Sequence, residues 1–153
     1  MHIVLFEPEI PPNTGNIARL CAATSTPLHL VEPLGFKIDD KHLKRAGLDY
    51  WPHVNVTVHK DFDSFLASQG PSRLVLTSAR GGERYDRFEY AADDWLVLGP
   101  ETRGLPEAVL NRSPHRVRIP ILPVVRSLNL STSAGILLME GLRQTGGLDR
   151  LAP

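Results

Sequence analysis

The stretch WLVLGPETRGLPEAVLN (95–111) contains, in order, a short apolar run, a loop rich in glycine and proline, and a helical pattern. The run WLVLG (95–99) is typical of a strand buried on both faces. PEAVLN (106–111) is typical of a helix, because proline is well tolerated in a first helical turn. The same order of strand, loop and helix recurs along the chain and favours an α/β domain with a mainly parallel sheet flanked by helices.

The remaining elements follow the same alternation. Further strands are predicted at HIVLF (2–6), LHLV (28–31), VNVTV (54–58), RLVLTS (73–78) and RVRI (116–119). Helices are predicted from about Gly15 to Ala23, over DDKHLKRAG (39–47), over DFDSFLASQ (61–69) and from about Asn129 to Gln144. With 153 residues and no linker or repeat, the chain is expected to form one domain, 1–153.

Composition narrows the class of protein. No apolar run approaches the ~20 residues that span a bilayer, and MHIVLFEPE lacks the basic start of a signal peptide, so we expect a cytoplasmic protein. Cys21 is the only cysteine, which excludes an internal disulfide. The six histidines show no ligand spacing, so we expect no metal, and we interpret His29 and His59 as structural.

Arginine dominates the basic residues, with 13 arginines against 4 lysines, although the net charge is zero. The basic residues cluster in DDKHLKRAG (39–47), ARGGERYDR (79–87) and NRSPHRVRIP (111–120). Arginine's planar fork suits phosphates, so RNA contact is one interpretation, and a solvated face is the other. The candidate RNA-binding residues are Lys41, Lys44, Arg45, Arg84, Arg87, Arg112 and Arg116.

Four loops that leave strands are rich in glycine, proline and small polar residues: 7–16, 77–83, 99–106 and 120–131. In parallel sheets ligands bind beyond the carboxyl ends of the strands, so these loops should meet at one edge. None of them carries G-x-G-x-x-G, G-x-x-x-x-G-K-[ST] or G-x-S-x-G. The common nicotinamide, triphosphatase and serine-hydrolase sites are therefore excluded.

Three stretches, PPNTGNIAR (11–19), LGPETRGLP (98–106) and RSLNLSTSAGI (126–136), resemble the three ordered motifs of the SPOUT methyltransferase superfamily. Their form is that of its SpoU (TrmH-type) branch of ribose 2′-O-methyltransferases. Within that branch, EPEIPPNTGNIARLCAAT (7–24) and RAGLDYW (45–51) are similar to the small YibK/TrmL-type group. Enzymes of that group use S-adenosylmethionine to methylate the wobble nucleotide, a cytidine or modified uridine at position 34, of certain leucine tRNAs.

The resemblance implies a C-terminal deep trefoil knot, tRNA as a partner, and a homodimer whose active site is completed near the interface. It also implies S-adenosylmethionine as the cofactor and a set of residues that bind it, carried over from the matching motifs: Leu76, Thr77, Gly99, Glu101, Gly104, Ile119, Ile121, Ser127, Leu128 and Asn129. Arg19 and Asn16 match the catalytic positions of the first motif.

Two roles stay open on the residues alone. The Glu101 carboxylate could receive the cofactor's amino group, or it could hold Arg103 or Arg19 in place. Arg19 could act as a partly deprotonated base, or it could orient phosphate and stabilise a developing alkoxide, which costs less because a guanidinium pKa exceeds ~12. The alternative functions are methylation of another tRNA or rRNA nucleotide, and a catalytically silent RNA-binding dimer.

Overall fold

A computed structural model describes residues 1–39, 41, 48–70 and 72–151. The first part contains β1 (His2–Phe6), α1 (Pro11–Thr24), β2 (Leu28–Val31), a 3₁₀ helix (Leu48–His53), β3 (Val56–His59) and α2 (Phe62–Gln69). The second part contains β4 (Leu74–Thr77), β5 (Glu83–Arg84), β6 (Trp95–Leu98), α3 (Glu107–Leu110), β7 (Arg116–Arg118), α4 (Leu130–Gln144) and a second 3₁₀ helix (Gly147–Arg150). Among these helices, none combines the length and the apolar character that crossing a membrane requires.

The described strands form one seven-stranded sheet in the order β3-β2-β1-β6-β4-β7-β5, and every pair is parallel. This confirms the α/β class with a parallel sheet. From β1 the chain moves outward to β2 and β3, whereas from β6 it moves the other way to β7. The connections therefore diverge between β1 and β6, and such a switch point leaves a crevice at the carboxyl ends of the two strands.

Side chains on alternate positions of the strands build two apolar layers. Ile3 and Leu5 of β1 pack with Ile17 of α1 and Leu137 of α4 on one face of the sheet. The intervening Val4 and Phe6 pack with Phe65 of α2 on the other face. Because both faces are covered, the central strands are apolar throughout, as in other parallel sheets.

Two of the predicted helices are confirmed, and each begins at a side-chain cap. The Asp61 carboxylate accepts a hydrogen bond from the Ser64 N–H at 2.7 Å and begins α2. Asn129 begins α4 in the same way, through the N–H groups of Ser131 and Thr132 at 2.9 and 3.3 Å. Each side chain satisfies donors that the first helical turn leaves unpaired.

Two boundaries differ from the prediction. Helix α1 begins at Pro11 rather than near Gly15, because a proline in the first turn gives up an N–H that has no helical partner. The two-residue strand β5, Glu83–Arg84, has no apolar run to signal it and was not predicted. The predicted helix 39–47 falls almost entirely outside the described residues, as do Lys44, Arg45 and the first part of RAGLDYW (45–51).

The knot stays a prediction, because strand order does not specify how the chain is threaded. One feature of the order is compatible with it: β4 and β5 follow each other along the chain but lie on opposite sides of β7. The connection between them must therefore cross the path of β7. At that crossing, a Cβ on Gly82 would lie 2.8 Å from the Arg116 carbonyl, so the two backbones are in direct contact.

A chain of histidines joins three neighbouring strands. His2 Nδ1 lies 3.0 Å from His29 Nε2, and His29 Nδ1 lies 3.1 Å from His59 Nε2. Burial lowers the pKa of His29 to about 4 and lowers that of its two neighbours as well. Neutral imidazoles each donate one hydrogen bond and accept one, which suits such a chain. The structural interpretation of His29 and His59 is confirmed.

Candidate active site

A cavity of about 870 Å³ lies where the chain leaves β4, β6 and β7 and enters α1 and α4. Four segments contribute to its wall, from the loops predicted to meet at one edge: Ile10 and Asn13, residues 77–80, residues 98–105, and residues 117–130 in part. The wall combines apolar side chains such as Val117, Ile119 and Leu137 with polar groups at the loop ends. This size and mixed lining are typical of a site for a nucleoside-sized ligand.

The structure brings most of the predicted cofactor residues together. Nine of the ten line this one cavity: Thr77, Gly99, Glu101, Gly104, Ile119, Ile121, Ser127, Leu128 and Asn129. Leu76 is the exception, because its side chain is completely buried in the layer that contains Val4 and Phe65. It can support the wall only through the strand that carries Thr77.

The loop between β6 and α3 owes its shape to two glycines. The Gly104 N–H donates to the Pro100 carbonyl at 2.9 Å, and Gly104 has a φ of +66°, a conformation that favours glycine. A Cβ on Gly99 would collide with the backbone of Gly104 and Leu105. The loop therefore folds back tightly on the end of β6 and presents its backbone to the cavity.

The Glu101 carboxylate holds the beginning of α1. It accepts hydrogen bonds from the backbone N–H groups of Glu9 at 2.9 Å and Ile10 at 2.6 Å, and from Asn13 Nδ2 at 3.3 Å. The N-cap residue Ile10 offers no side-chain cap of its own. A distant carboxylate thus satisfies donors at the helix start, where the macrodipole also favours a negative charge.

Two further contacts join the loops after β1 and β6. Thr102 Oγ1 donates to the Glu9 carboxylate at 2.8 Å, and this hydrogen bond lowers the pKa of Glu9. Arg103 donates to Glu7 at 3.3 Å, so the pairing of Arg103 with Glu101 considered from the sequence is wrong. Glu7 offers the closer carboxylate, while that of Glu101 is occupied by backbone donors.

Asn13 links the second and third motif loops, and sequence reasoning missed it. Its amide donates to Glu101, and its Oδ1 accepts from Asn129 Nδ2 at 3.0 Å. Since Asn129 also caps α4, the starts of two helices are tied together through three side chains. Asn13 is only 7% exposed. Its position in the first turn of α1, where a side chain reaches back to the helix start, was the available signal.

The predicted catalytic residues are not part of the cavity wall. Asn16 and Arg19 are three residues apart and are exposed on the same side of α1, while Ile17 and Cys21 are buried. Neither Asn16 nor Arg19 contributes to the cavity wall described above. In a single chain the cavity wall therefore includes nine candidate cofactor residues and neither member of the candidate catalytic pair.

The predicted RNA-binding residues are scattered, and several are engaged within the chain. Arg84 pairs with Asp86 at 2.8 Å, and Arg112 with Asp63 at 3.5 Å. Arg116 donates to the Leu110 carbonyl at 3.1 Å. Lys41 and Arg87 are exposed. Lys44 and Arg45 lie outside the described residues. In the described ranges, no group of three or more His, Cys, Asp or Glu side chains is arranged to hold a metal ion.

Comparison with known proteins identifies relatives over nearly the whole chain. Residues 1–139 match the model of the SpoU rRNA Methylase family. A tRNA (cytidine(34)-2′-O)-methyltransferase of Methylovorus glucosotrophus is 51% identical over 144 residues, which cover 93% of this chain and 94% of that protein. The enzyme of the same name from Escherichia coli K12 is 48% identical over 148 residues, which cover 95% of this chain and 94% of that protein.

Solved structures show the same fold. One, described as giving structural insights into the 2-OH methylation of C/U34 on tRNA, superimposes with a TM-score of 0.90 at 47% identity and 94% coverage of both chains. Another is an AdoMet-bound rRNA methyltransferase from Sinorhizobium meliloti, with a TM-score of 0.85 at 25% identity. The match covers 93% of this chain and 55% of the Sinorhizobium meliloti protein.

Proposed function

The chain belongs to the SpoU methylase family, and we propose that it transfers the methyl group of S-adenosylmethionine to the ribose 2′-oxygen of nucleotide 34 in tRNA. The observation that carries the proposal is the convergence of three motif loops on one cavity, in a chain about 50% identical to tRNA (cytidine(34)-2′-O)-methyltransferases over nearly its full length.

The cavity fits S-adenosylmethionine in size and in chemistry. Its volume of about 870 Å³ lies within the range of cofactor sites. Ile119 and Ile121 offer an apolar wall for a flat base, while the backbone of the 99–105 loop and Ser127 offer polar groups. When bound, the cofactor supplies an activated methyl on a sulfonium, so the protein's task is to align the ribose oxygen and manage its proton.

We propose that Arg19 and Asn16 handle the target ribose. A guanidinium that stays charged can orient a phosphate and stabilise negative charge as it develops on the 2′-oxygen. Replacing Arg19 with lysine tests this role, because lysine keeps the charge but loses the fork. A strong loss of kcat in Arg19→Lys is expected, and near-normal activity would count against bidentate orientation.

We further propose a homodimer in which α1 of one copy meets the cavity of the other. This accounts for the absence of Asn16 and Arg19 from the cavity wall of a single chain. An apolar surface beside the cavity supports an interface: Leu122 is 73% exposed and Val124 is 83% exposed.

Mixed dimers test this arrangement. In Arg19→Ala the cavity is intact, and in Ser127→Trp the cavity is blocked while Arg19 is present. If the site is shared, co-expression of two separately inactive variants restores about a quarter of wild-type activity, since half of the dimers are mixed and each has one good site. Failure to restore activity in verified mixed dimers would show that Arg19 acts within its own chain.

The choice of nucleotide and of tRNA is tested directly. Purified tRNAs from a strain lacking the enzyme are treated with protein and labelled cofactor, and the modified nucleotide is mapped by mass spectrometry. We expect a methyl on the ribose of cytidine or modified uridine 34, and leucine tRNAs as the substrates. A methyl on another nucleotide would favour the alternative target. Calorimetry that shows no S-adenosylmethionine binding would favour a silent RNA-binding protein.

A further inference from the structure

Positive charge is concentrated at the cavity, although the chain as a whole is neutral. Three arginines, Arg80, Arg103 and Arg126, contribute to the cavity wall, against a single carboxylate, that of Glu101. None of the three arginines was among the RNA-binding residues predicted from the sequence. The excess of guanidinium groups indicates that an anion approaches this opening.

The four charged groups are not equivalent. Glu101 is engaged with the start of α1, and Arg103 is paired with Glu7. Arg80 and Arg126 are both exposed. Neither of them is paired with a carboxylate in the described part of the chain. Two guanidinium groups thus remain available for a ligand.

Arg80 is carried on a turn with a defined shape. The Arg80 N–H donates to Ser78 Oγ at 3.2 Å, and that hydroxyl donates in turn to the Arg80 carbonyl. The next two residues are glycines with φ of +81° and +84°, and Gly82 is in contact with the backbone of β7. Arg118 also donates to the Gly82 carbonyl at 3.3 Å. The turn is therefore held against the sheet.

Arg126 lies on a different loop, three residues before Asn129. Asn129 is fixed on both sides, because it caps α4 and donates to Asn13. The two available arginines consequently come from separate loops, after β4 and after β7. Such an arrangement provides two binding points and not one diffuse patch.

We propose that Arg80 and Arg126 bind backbone phosphates of the RNA on either side of the nucleotide whose ribose enters the cavity. The proposal rests on the proposed function, which brings an RNA strand to this opening. Arginine binds phosphate through two parallel N–H donors, and two such contacts would set the register of a single strand without reading its bases. The carboxylate of the cofactor has related chemistry, and the experiment separates the two anions.

The test uses Arg80→Ala, Arg126→Ala and the corresponding lysine variants, with Lys60→Ala as the matched control. Lys60 is an exposed cation after β3, at the far edge of the sheet, and it does not contribute to the cavity wall. Binding of a labelled anticodon stem-loop RNA is measured by fluorescence anisotropy over a series of salt concentrations. S-adenosylmethionine binding is measured by calorimetry, and thermal melting confirms that each variant is folded.

Each alanine variant is expected to weaken RNA binding about tenfold and to lower the slope of log affinity against log salt by about one phosphate contact. The lysine variants should recover the salt slope but not the full affinity, because they keep the charge and lose the fork. The control and the cofactor affinity should stay unchanged.

Unchanged RNA affinity and salt slope in both alanine variants would overturn the proposal. So would a selective loss of cofactor affinity, which would assign the arginines to the cofactor carboxylate, or an equal effect in the control, which would indicate diffuse attraction. A wild-type protein that binds RNA through these arginines but transfers no methyl would refute the proposed function and leave this inference standing. A wild-type protein that binds no RNA refutes both.

Discussion

Glu101→Gln is the most informative single change in this site. The substitution keeps the shape of the side chain but removes its charge and replaces one acceptor oxygen with an NH₂ donor. In the structure both carboxylate oxygens accept, from the Glu9 and Ile10 N–H groups and from Asn13. Glutamine therefore leaves at least one donor without an acceptor and brings a second donor against it.

The expected cost follows from these contacts. Hydrogen bonds to a charged group each contribute about 1.5–3 kcal/mol, and the partly exposed site argues for the lower end. A negative charge at a helix start adds about 0.3–1 kcal/mol. Because the remaining oxygen still accepts, we expect Glu101→Gln to lower the free energy of unfolding by about 2 kcal/mol. This corresponds to a fall in Tm of roughly 4–8 °C for a chain of this size.

Urea and thermal denaturation of the purified protein measure this change, with Glu89→Gln as the control. Glu89 is exposed, and its carboxylate has no hydrogen bond among the described contacts. Calorimetry with S-adenosylmethionine distinguishes the roles left open by the sequence. A variant that keeps wild-type stability but loses cofactor affinity would refute the capping argument and assign the carboxylate to the ligand. Loss of stability accompanied by a modest loss of affinity is the expected result.

Three other substitutions test further contacts in the fold and in the site. Burial lowers the pKa of His29 from 6.5 to about 4, so the unfolded state binds more protons than the folded state between these pH values. The free energy of unfolding should therefore be about 2 kcal/mol lower at pH 5 than at pH 7. Urea titrations should show a weaker dependence of this free energy on pH in His29→Gln than in the wild type. Asn13→Ala breaks the link to Asn129 and should cost about 1–2 kcal/mol in chemical denaturation, whereas unchanged stability would show that the two helix starts are held independently. Gly99→Ala places a Cβ against the Leu105 backbone and should cost about 1–3 kcal/mol and reduce cofactor affinity in calorimetry; a variant with wild-type affinity would contradict the assignment of this loop.

Local patterns were sufficient to predict most of the fold. Apolar or alternating patterns located six of the seven described strands, and helical patterns located α2 and α4. The two-residue β5 was missed because an edge pair that short carries no periodic signal. The start of α1 was misplaced because the same prolines and glycine that suggest a loop are also tolerated in a first helical turn.

The candidate site was also predicted only in part from the sequence. The chain order alone placed the motif loops at the carboxyl ends of parallel strands, since every parallel strand that leads to a helix points its outgoing loop to one edge. It could not show that Arg80 and Arg126 reach the cavity while Arg84 and Arg112 are used in ion pairs, because an arginine in a surface loop has the same local pattern in either role.

By itself, the sequence determined the parallel α/β class, the loops that carry the site and the family motifs. Only the tertiary structure decided the hydrogen-bond partners inside the site. Glu101 lies 91 residues from Ile10, and Asn129 lies 116 residues from Asn13. A carboxylate or an amide can bond any donor that packing brings near, so its partner is chosen when β1, β6 and β7 come together in the sheet and is not visible in local spacing.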